Sequence, residues 1–194
     1  MILTVNEKEI LRFLASGIKH NKSMNEIAKE CSVSPGGAFK ILTKLKKEGI
    51  LKSEQIANIK SYNIDFDSAK TRIILELALI PDLEGRVKLR AEDFAPLQKV
   101  AKACVLFGSY ASGKQNPGDL DVLFVLDKNN FVDYKKALSK VQQTTPVKIH
   151  DVIQTEDDLK ANIRKKDKIV MEAIRKGVLL WGFDVIAEAV SSAE

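Results

Sequence analysis

Two short apolar segments joined by a polar, glycine-containing loop constrain the fold of this chain more than any other feature. Residues 103–107 read ACVLF and residues 119–126 read DLDVLFVL, and Gly-Ser directly follows the first segment. Apolar runs of this length, bounded by turn residues, are typical of buried strands. Because side chains two apart in a strand lie on one face, Asp119 and Asp121 are expected side by side on an otherwise apolar strand.

This pair of aspartates predicts a divalent-cation site. Two adjacent carboxylates repel each other unless a cation lies between them. Mg²⁺, with Mn²⁺ as the alternative, suits such oxygen ligands and completes its coordination with water and phosphate oxygens. Gly108 allows close approach of the backbone to a ligand, and the Ser109 hydroxyl with the amides of a following helix favours a phosphate group. The loop is therefore expected to bind metal and phosphate together.

From residue 102 onward the sequence alternates between strand and helix. After the second strand we predict a helix, a third strand and one long helix, over residues 131–142, 147–154 and 155–177. Thr155 and Asp158 are expected to cap the long helix. This order of elements predicts an α/β (α+β) domain with a small mixed sheet over residues 96–194.

The segment GSYASGKQNPGDLDVLFV resembles the signature of the DNA polymerase β-type nucleotidyltransferase superfamily, most closely its minimal nucleotidyltransferase branch. The resemblance covers roughly residues 96–185. It implies that Gly108 and Ser109 cradle a nucleoside triphosphate while Asp119 and Asp121 hold metal ions for catalysis. The implied reaction moves a nucleoside monophosphate onto a hydroxyl group and releases pyrophosphate. Because that chemistry needs no protein nucleophile, the two histidines, His20 and His150, are expected to have no catalytic role.

In this superfamily a third carboxylate usually comes from a later strand, and the resemblance makes Asp151 the candidate for catalysis and metal binding. His150 lies on the opposite face of the same predicted strand, and the sequence leaves the register of that strand open. Many minimal enzymes have an arginine soon after Gly-Ser, where this chain has Tyr110 and Ser112. Lys114 is the candidate phosphate contact in its place. An alternative is a degenerate site that binds nucleotide without turnover.

The first 66 residues predict three helices followed by a β-hairpin. The expected helix starts are Asn6 with Glu9, Ser23 with Glu26, and Ser34 with Pro35. The order of elements resembles the winged helix-turn-helix domains of prokaryotic transcription regulators. That resemblance implies double-stranded DNA as a partner, with the third helix in the major groove.

The charge of the chain agrees with a polyanionic partner for the N-terminal segment. Residues 1–66 hold eleven Lys/Arg against seven Asp/Glu, whereas the remainder holds twenty against nineteen. The candidate DNA contacts on the third helix and the wing are Gly36, Phe39, Lys40, Thr43, Lys44, Lys47, Lys52 and Lys60. The alternative is that these lysines only solvate a domain used for protein contacts or dimerisation.

Residues 67–95 are expected to form a helical connector without chemistry of its own. No apolar run approaches the roughly 18 residues that cross a bilayer, and the N-terminus becomes charged too early for a signal peptide. Cys31 and Cys104 lack partners at metal or redox spacing, so a cytoplasmic protein with buried, reduced thiols is expected. Besides an enzyme, the sequence allows a transcriptional regulator or an antitoxin-like protein whose rear domain binds nucleotide, a toxin or another protein. A homodimer is also allowed.

Overall fold

The computed structural model describes residues 3–17, 22–56, 58–115 and 117–193. The chain divides into two compact units, residues 1–79 with 190–192 and 194, and residues 80–189 with 193. The residues predicted as a connector, 67–95, divide between these units. The domain boundaries expected from the sequence, at 66/67 and 95/96, stay predictions. His20 lies outside the described residues.

The first unit contains four helices among its described residues, and two of them begin where the sequence predicts. They are α1 (Val5–Ser16), α2 (Met24–Glu30), α3 (Pro35–Lys47) and α4 (Ala69–Leu79). Ser23 and Glu26 form the predicted capping box of α2, and Ser34 caps α3 with Pro35 in its first turn. The predicted start of α1 at Asn6 is wrong, because Thr4 with Glu7 forms the same type of capping box two residues earlier.

The predicted hairpin is present as β2 (Leu51–Ile56) and β3 (Ile59–Ile64), which pair antiparallel. The two-residue strand β1 (Lys22–Ser23) pairs with the other edge of β3, giving the order β1-β3-β2. The apolar stripe of α3 faces inward, since Ala38, Leu42 and Leu45 are buried. The three-helix and hairpin order expected from the sequence is thus observed, while the winged-helix assignment itself stays a prediction.

The second unit contains a four-stranded mixed sheet with the strand order β6-β5-β4-β7. Its strands are β4 (Ala103–Phe107), β5 (Asp119–Val125), β6 (Lys148–Gln154) and β7 (Val178–Trp181). Strands β5 and β6 pair in parallel, whereas β4 pairs antiparallel with both β5 and β7. The helices are α5 (Gly85–Phe94), the short α6 (Gly108–Ala111), α7 (Phe131–Thr144), α8 (Glu156–Arg164), α9 (Lys168–Lys176) and α10 (Phe183–Ser191).

One face of this sheet forms the hydrophobic core of the unit. Leu120, Val122 and Phe124 of β5 are fully buried and cluster with Tyr134 and Leu138 of α7. The Phe124 and Tyr134 rings meet edge to face, with centroids 5.1 Å apart. Since side chains alternate along a strand, Asp119 and Asp121 lie on the other face of β5. The even-numbered residues of β5 therefore pack in this core, while the opposite side carries the two carboxylates at its start and the buried Leu123 and Val125 farther along.

The single long helix predicted over residues 155–177 is wrong, because the chain breaks into α8 and α9. Lys166 adopts a φ of +56°, in the left-handed region that ends a helix. The side chain of Asp167 then accepts hydrogen bonds from the amides of Ile169 and Val170, at 3.0 and 3.1 Å, and caps α9. The predicted cap of α8, Thr155 with Asp158, is present.

Two further expectations concern the whole chain. Across the described ranges, none of the helices combines the length and apolar character that a membrane span requires. Cys31 and Cys104 are both buried, and burial raises the pKa of the Cys104 thiol well above its ordinary value. At neutral pH Cys104 is therefore a protonated core side chain.

Candidate metal and nucleotide site

The N-terminal end of β5 presents two carboxylates on one face of the sheet. Asp121 lies opposite Phe107 of β4 and beside His150 of β6 in the strand register. The Asp119 and Asp121 side chains are 38% and 32% exposed, so a ligand can reach both while their backbone is held in the sheet. The side-by-side arrangement is the one that the sequence spacing predicts.

Gly108 brings the backbone of the Gly-Ser turn directly against this pair. Its φ is +68°, a left-handed conformation that favours glycine. A Cβ built at this position would overlap the Asp121 carboxylate. Any other residue would therefore strain the turn and displace Asp121, which gives Gly108 a steric reason for its identity. The turn and the strand form one continuous surface at this point.

His150 completes the cluster, although the sequence predicts no catalytic role for it. Its Nδ1 lies 3.2 Å from Oδ2 of Asp119 and 3.8 Å from Oδ1 of Asp121. Asp119, Asp121 and His150 each offer a ligand atom, and these atoms all lie within 4.8 Å of one another. Two carboxylates and an imidazole are a donor set that fits a divalent metal ion.

Asp151, the predicted third carboxylate, is not brought together with Asp119 and Asp121. It pairs in register with Val122, so it lies on the core face of the sheet. There its carboxylate accepts hydrogen bonds from the Tyr134 hydroxyl at 3.0 Å and from Nζ of Lys135 at 2.7 Å. The register of β6 thus places His150 on the face of Asp119 and Asp121 and makes Asp151 a partner of α7, while the catalytic and metal-binding role of Asp151 stays a prediction.

The phenol that donates to Asp151 is firmly protonated. Burial raises the pKa of Tyr134, and the negative charge of Asp151 adds to that shift. Tyr134 is fully buried, and its hydroxyl reaches Asp151 at the edge of the core. Its hydrogen bond to Asp151 therefore joins α7 to β6, and it belongs to the packing of the sheet rather than to the cluster on the other face.

The electrostatics of the cluster favour a bound cation. Burial raises the pKa of Asp121 above its ordinary value of 3.8, and the neighbouring charge of Asp119 raises it further. The imidazole of His150 acts in the opposite direction, while Glu172 of α9 adds to the negative potential. A carboxylate whose charged form is disfavoured in this way gains from a nearby positive charge. The cluster is thus short of positive charge and open to solvent.

The loop after the Gly-Ser turn is held by hydrogen bonds. The Ser109 carbonyl accepts from the Ser112 hydroxyl at 3.0 Å and from the Lys114 amide at 3.2 Å. Arg86 of α5 donates from its two terminal nitrogens to the carbonyls of Tyr110 and Lys114, both at 2.7 Å. Lys114, the predicted phosphate contact, is exposed on this loop. The sequence assigns no function to Arg86. Its partners lie 24 and 28 residues away in the chain, so local sequence patterns do not predict the contact.

The predicted DNA contacts are spread over α3 and the hairpin of the first unit. Gly36, Phe39, Lys40, Thr43, Lys47 and Lys60 are exposed, and Lys52 is half-buried. The side chain of Phe39 is 55% exposed. Nζ of Lys60 lies 5.6 Å from the centroid of the Tyr62 ring. Most of the set is therefore accessible to a partner.

Lys44 is an exception, because it is tied to a buried carboxylate. Its Nζ lies 2.8 Å from Oε1 of Glu7, whose side chain is only 4% exposed. The second carboxylate oxygen of Glu7 accepts from the backbone amide and the hydroxyl of Thr4, at 2.8 and 3.0 Å. In the structure the charge of Lys44 neutralises Glu7, and its contact with a DNA phosphate stays a prediction.

Residues 91–176 match the family model described as polymerase beta, nucleotidyltransferase. The matched range contains Gly108, Asp119, Asp121 and His150, and it supports the nucleotidyltransferase superfamily for this part of the chain. Nucleotidyl transfer is the activity that the match suggests at the level of the family. Comparison with curated proteins and with solved structures finds no match.

Proposed function

We propose that this protein is a metal-dependent nucleotidyltransferase that moves a nucleoside monophosphate from a nucleoside triphosphate to a hydroxyl group of an acceptor. The observation that carries the proposal is the meeting of Gly108, Asp119 and Asp121 at the N-terminal end of β5, within the range that matches the family. Turn and carboxylates come from different segments of the chain, and the Gly108 backbone leaves no room for a side chain between them.

In the proposed reaction the acceptor oxygen forms a bond to the α-phosphorus, and the bond from that phosphorus to the bridging oxygen of the β-phosphate breaks. Pyrophosphate leaves, and the proton of the acceptor hydroxyl is released. Asp119 and Asp121, together with His150, would hold the divalent ion that neutralises the developing charge on the phosphate oxygens. The Gly108–Ser109 turn would position the triphosphate, with Lys114 as a further contact for phosphate charge.

Transfer can be tested with nucleoside triphosphates labelled at the α-phosphate. Wild-type protein with Mg²⁺ or Mn²⁺ should release pyrophosphate and transfer the label to an acceptor, either the protein itself or a component of a cell extract. Asp119→Asn and Asp121→Asn should each lower the rate by at least about 100-fold, because removal of one ligand disrupts the metal site. Asp151→Asn, on the same sheet but the opposite face, is the matched control and should keep most of the activity.

We further propose that the first unit is a winged helix-turn-helix that binds double-stranded DNA. Support comes from the exposed row Phe39, Lys40, Thr43 and Lys47 on α3 and from the positive excess in residues 1–66. Lysines on such a helix contact phosphates, while side chains near its N-terminus reach base edges. Binding of a duplex should weaken steeply with salt if several phosphates are contacted.

The second candidate is a regulator or antitoxin-like protein that binds nucleotide or a protein partner without turnover. Tyr110 and Ser112, at the positions where many minimal enzymes carry an arginine, favour it, as does an imidazole in place of the third carboxylate. Metal-dependent binding of a triphosphate, with no pyrophosphate released in the presence of any acceptor, would select this candidate over the enzyme.

A further inference from the structure

We infer that the cluster of Asp119, Asp121 and His150 selects a divalent transition-metal ion over Mg²⁺. The inference deepens the proposed function, because it names the ion that the same site takes. It depends on His150, which replaces an all-oxygen ligand set with a mixed set of oxygen and nitrogen. Mg²⁺ binds hard oxygen ligands and demands near-ideal octahedral geometry, whereas imidazole favours first-row transition ions.

The geometry of the cluster suits coordination by all three side chains. Two ligand atoms at right angles on an ion with bonds of about 2.1 Å lie about 3.0 Å apart. The 3.2 Å between Nδ1 of His150 and Oδ2 of Asp119 is close to that spacing, and the 3.8 Å to Asp121 is within a small side-chain rotation of it. His150 is 45% exposed on the edge strand β6, so its ring has room to make that rotation.

The backbone register makes this arrangement a fixed property of the fold. Asp121 and His150 are paired residues of two parallel strands, so their side chains leave the same face of the sheet at adjacent positions. A slip of one residue in β6 would bring Asp151 to this position, but Asp151 is held on the other face by Tyr134 and Lys135. The pairing of Asp119–Val125 with Lys148–Gln154 along the full length of both strands thus fixes the register that presents the imidazole.

Metal binding without nucleotide tests this inference. The protein, freed of metal by a chelator, is titrated with Co²⁺, read from its visible absorption, and with Mg²⁺, read by competition against Co²⁺. Wild type should prefer Co²⁺ by at least about 100-fold. His150→Asp should reduce the ratio of the two affinities by about tenfold or more, since it restores an all-carboxylate set. Asp133→Asn, which removes an exposed carboxylate of α7 that is not part of the cluster, is the control and should leave the ratio unchanged.

An unchanged ratio in folded His150→Asp, or equal affinity of wild type for the two ions, would overturn the inference. If His150→Asp fails to fold, as judged by circular dichroism, His150→Gln takes its place and should weaken Co²⁺ more than Mg²⁺. Failure here is separable from failure of the proposed function. Transfer with unselective metal binding would reject only the inference, whereas His150-dependent Co²⁺ binding without any nucleotide binding would reject only the function.

A separate observation concerns Arg86, which we propose is a positioning residue for the nucleotide-binding loop. Its guanidinium holds the carbonyls of Tyr110 and Lys114, and its central carbon lies 4.5 Å from the centroid of the Tyr110 ring. The Tyr110 hydroxyl in turn donates to the backbone carbonyl of Arg86 at 3.3 Å. The two residues therefore hold the loop by hydrogen bonds in both directions. The planar guanidinium of Arg86 donates two of these bonds, a geometry that lysine cannot reproduce.

The loop held by Arg86 is the one that begins with Ser109. Tyr110 directly follows Ser109, and the Lys114 amide bonds back to the Ser109 carbonyl, so both acceptors of Arg86 belong to one closed turn. The carboxylates of Asp119 and Asp121, in contrast, are positioned by the pairing of β5 within the sheet. Loss of Arg86 should thus disturb phosphate binding and leave metal binding intact.

Nucleotide and metal affinities of the same variant distinguish this role from a purely structural one. In the absence of nucleotide, Arg86→Ala and Arg86→Lys should bind Co²⁺ with wild-type affinity. Both variants should bind the nucleoside triphosphate about tenfold more weakly than wild type. Guanidinium ion at low millimolar concentration should restore part of the affinity in Arg86→Ala only. Lys88→Ala, an exposed position on the same helix, is the control.

Unchanged nucleotide affinity in both Arg86 variants would overturn the proposal, and so would a parallel loss of metal and nucleotide affinity without rescue by guanidinium. This proposal also rests on the proposed function. A wild-type protein that binds no nucleoside triphosphate would reject the function itself, whereas wild-type binding that Arg86→Ala matches would reject only the positioning role.

Discussion

Glu7 in the first unit and Asp121 in the second are both carboxylates drawn partly out of water, yet their pKa values move in opposite directions. Burial alone would raise the pKa of Glu7, but hydrogen bonds from Lys44 and Thr4 outweigh it and lower the pKa. Burial raises the pKa of Asp121, the charge of Asp119 adds to it, and His150 opposes them. The fold supplies the partners of Glu7 but leaves the charge of Asp121 undercompensated.

The difference separates a structural carboxylate from one that is a candidate metal ligand. Glu7 links the start of α1 to α3, and each of its oxygens has a donor within the unit. Asp121 lies against the Gly108 backbone and another carboxylate, an arrangement that costs stability until a cation binds. Substitutions at the two sites should therefore have opposite effects on folding and on activity.

The largest effect is expected at Gly108, because its backbone lies directly against the Asp121 carboxylate. Gly108→Ala should reduce nucleotidyl transfer by at least about 100-fold, because its Cβ would displace the Asp121 carboxylate. The rate of pyrophosphate release measures it. Gly113→Ala is the matched control, since Gly113 also has a positive φ, of +85°, but nothing lies within 4 Å of its added Cβ. Equal loss in both variants would mean that backbone strain alone is responsible.

Glu7→Gln should destabilise the first unit by about 1–3 kcal/mol, because it leaves Lys44 and the Thr4 donors with weaker acceptors. Chemical denaturation followed by circular dichroism measures the change. The folded pKa of Glu7 lies below its ordinary value of 4.5, so its stabilisation is complete above that value and is lost as the pH falls through the folded pKa. Glu7→Gln should accordingly flatten the loss of stability at acid pH. The same slope in both proteins would contradict the assignment.

The lysines of α3 differ in role within the first unit, since Lys40 and Lys47 are exposed whereas Lys44 pairs with Glu7. Lys40→Glu with Lys47→Glu should weaken duplex DNA binding about tenfold and reduce its dependence on salt, without a change in thermal stability. Lys44→Met should lower thermal stability and leave DNA binding largely unchanged, since the ammonium of Lys44 neutralises Glu7. Fluorescence anisotropy at several salt concentrations and thermal unfolding of the same samples separate the two. Strong DNA loss in Lys44→Met, at unchanged stability, would show that Lys44 contacts DNA after all.

The smallest effect is expected for the stability of Asp121→Asn. Because the folded pKa of Asp121 is raised, its contribution to stability declines as the pH rises above its ordinary value of 3.8. Removal of the charge should raise the unfolding midpoint at pH 7 by roughly 1–2 °C in the absence of metal, from about 0.5 kcal/mol. Calorimetry measures the shift. A lower midpoint would mean that the Asp121 charge stabilises the fold.

The sequence predicts what depends on local pattern. The capping boxes at Ser23 and Thr155, the strand ACVLF and the shared face of Asp119 and Asp121 all follow from residues a few positions apart. Which of His150 and Asp151 faces the two aspartates does not follow from local pattern, because the neighbouring residues in β6 are compatible with either face. Their placement follows from the pairing of β6 with β5 and from the hydrogen bond of Tyr134 to Asp151, whose partners lie 17 or more residues away in the chain.

The other features that the sequence does not predict depend either on contacts between residues distant in the chain or on a competing local signal. Arg86 reaches Tyr110 and Lys114 across more than twenty residues, and Lys44 reaches Glu7 across 37. No spacing rule links such pairs. The start of α1 and the break before α9 were open to local reasoning, since Thr4 with Glu7 and Asp167 carry capping signals. For α1 the second capping pair, Asn6 with Glu9, favours a later start, and before α9 an apolar periodicity that continues without interruption favours one long helix.

The central claim is that the cluster at the start of β5 binds a divalent ion together with a nucleoside triphosphate. Calorimetric titration of wild type and Asp121→Asn with a non-hydrolysable triphosphate, with and without Mn²⁺, tests it most directly. Saturable binding that requires the ion in wild type and disappears in folded Asp121→Asn is the predicted result. Equal binding by the two proteins, or binding that is independent of the ion, would contradict the account.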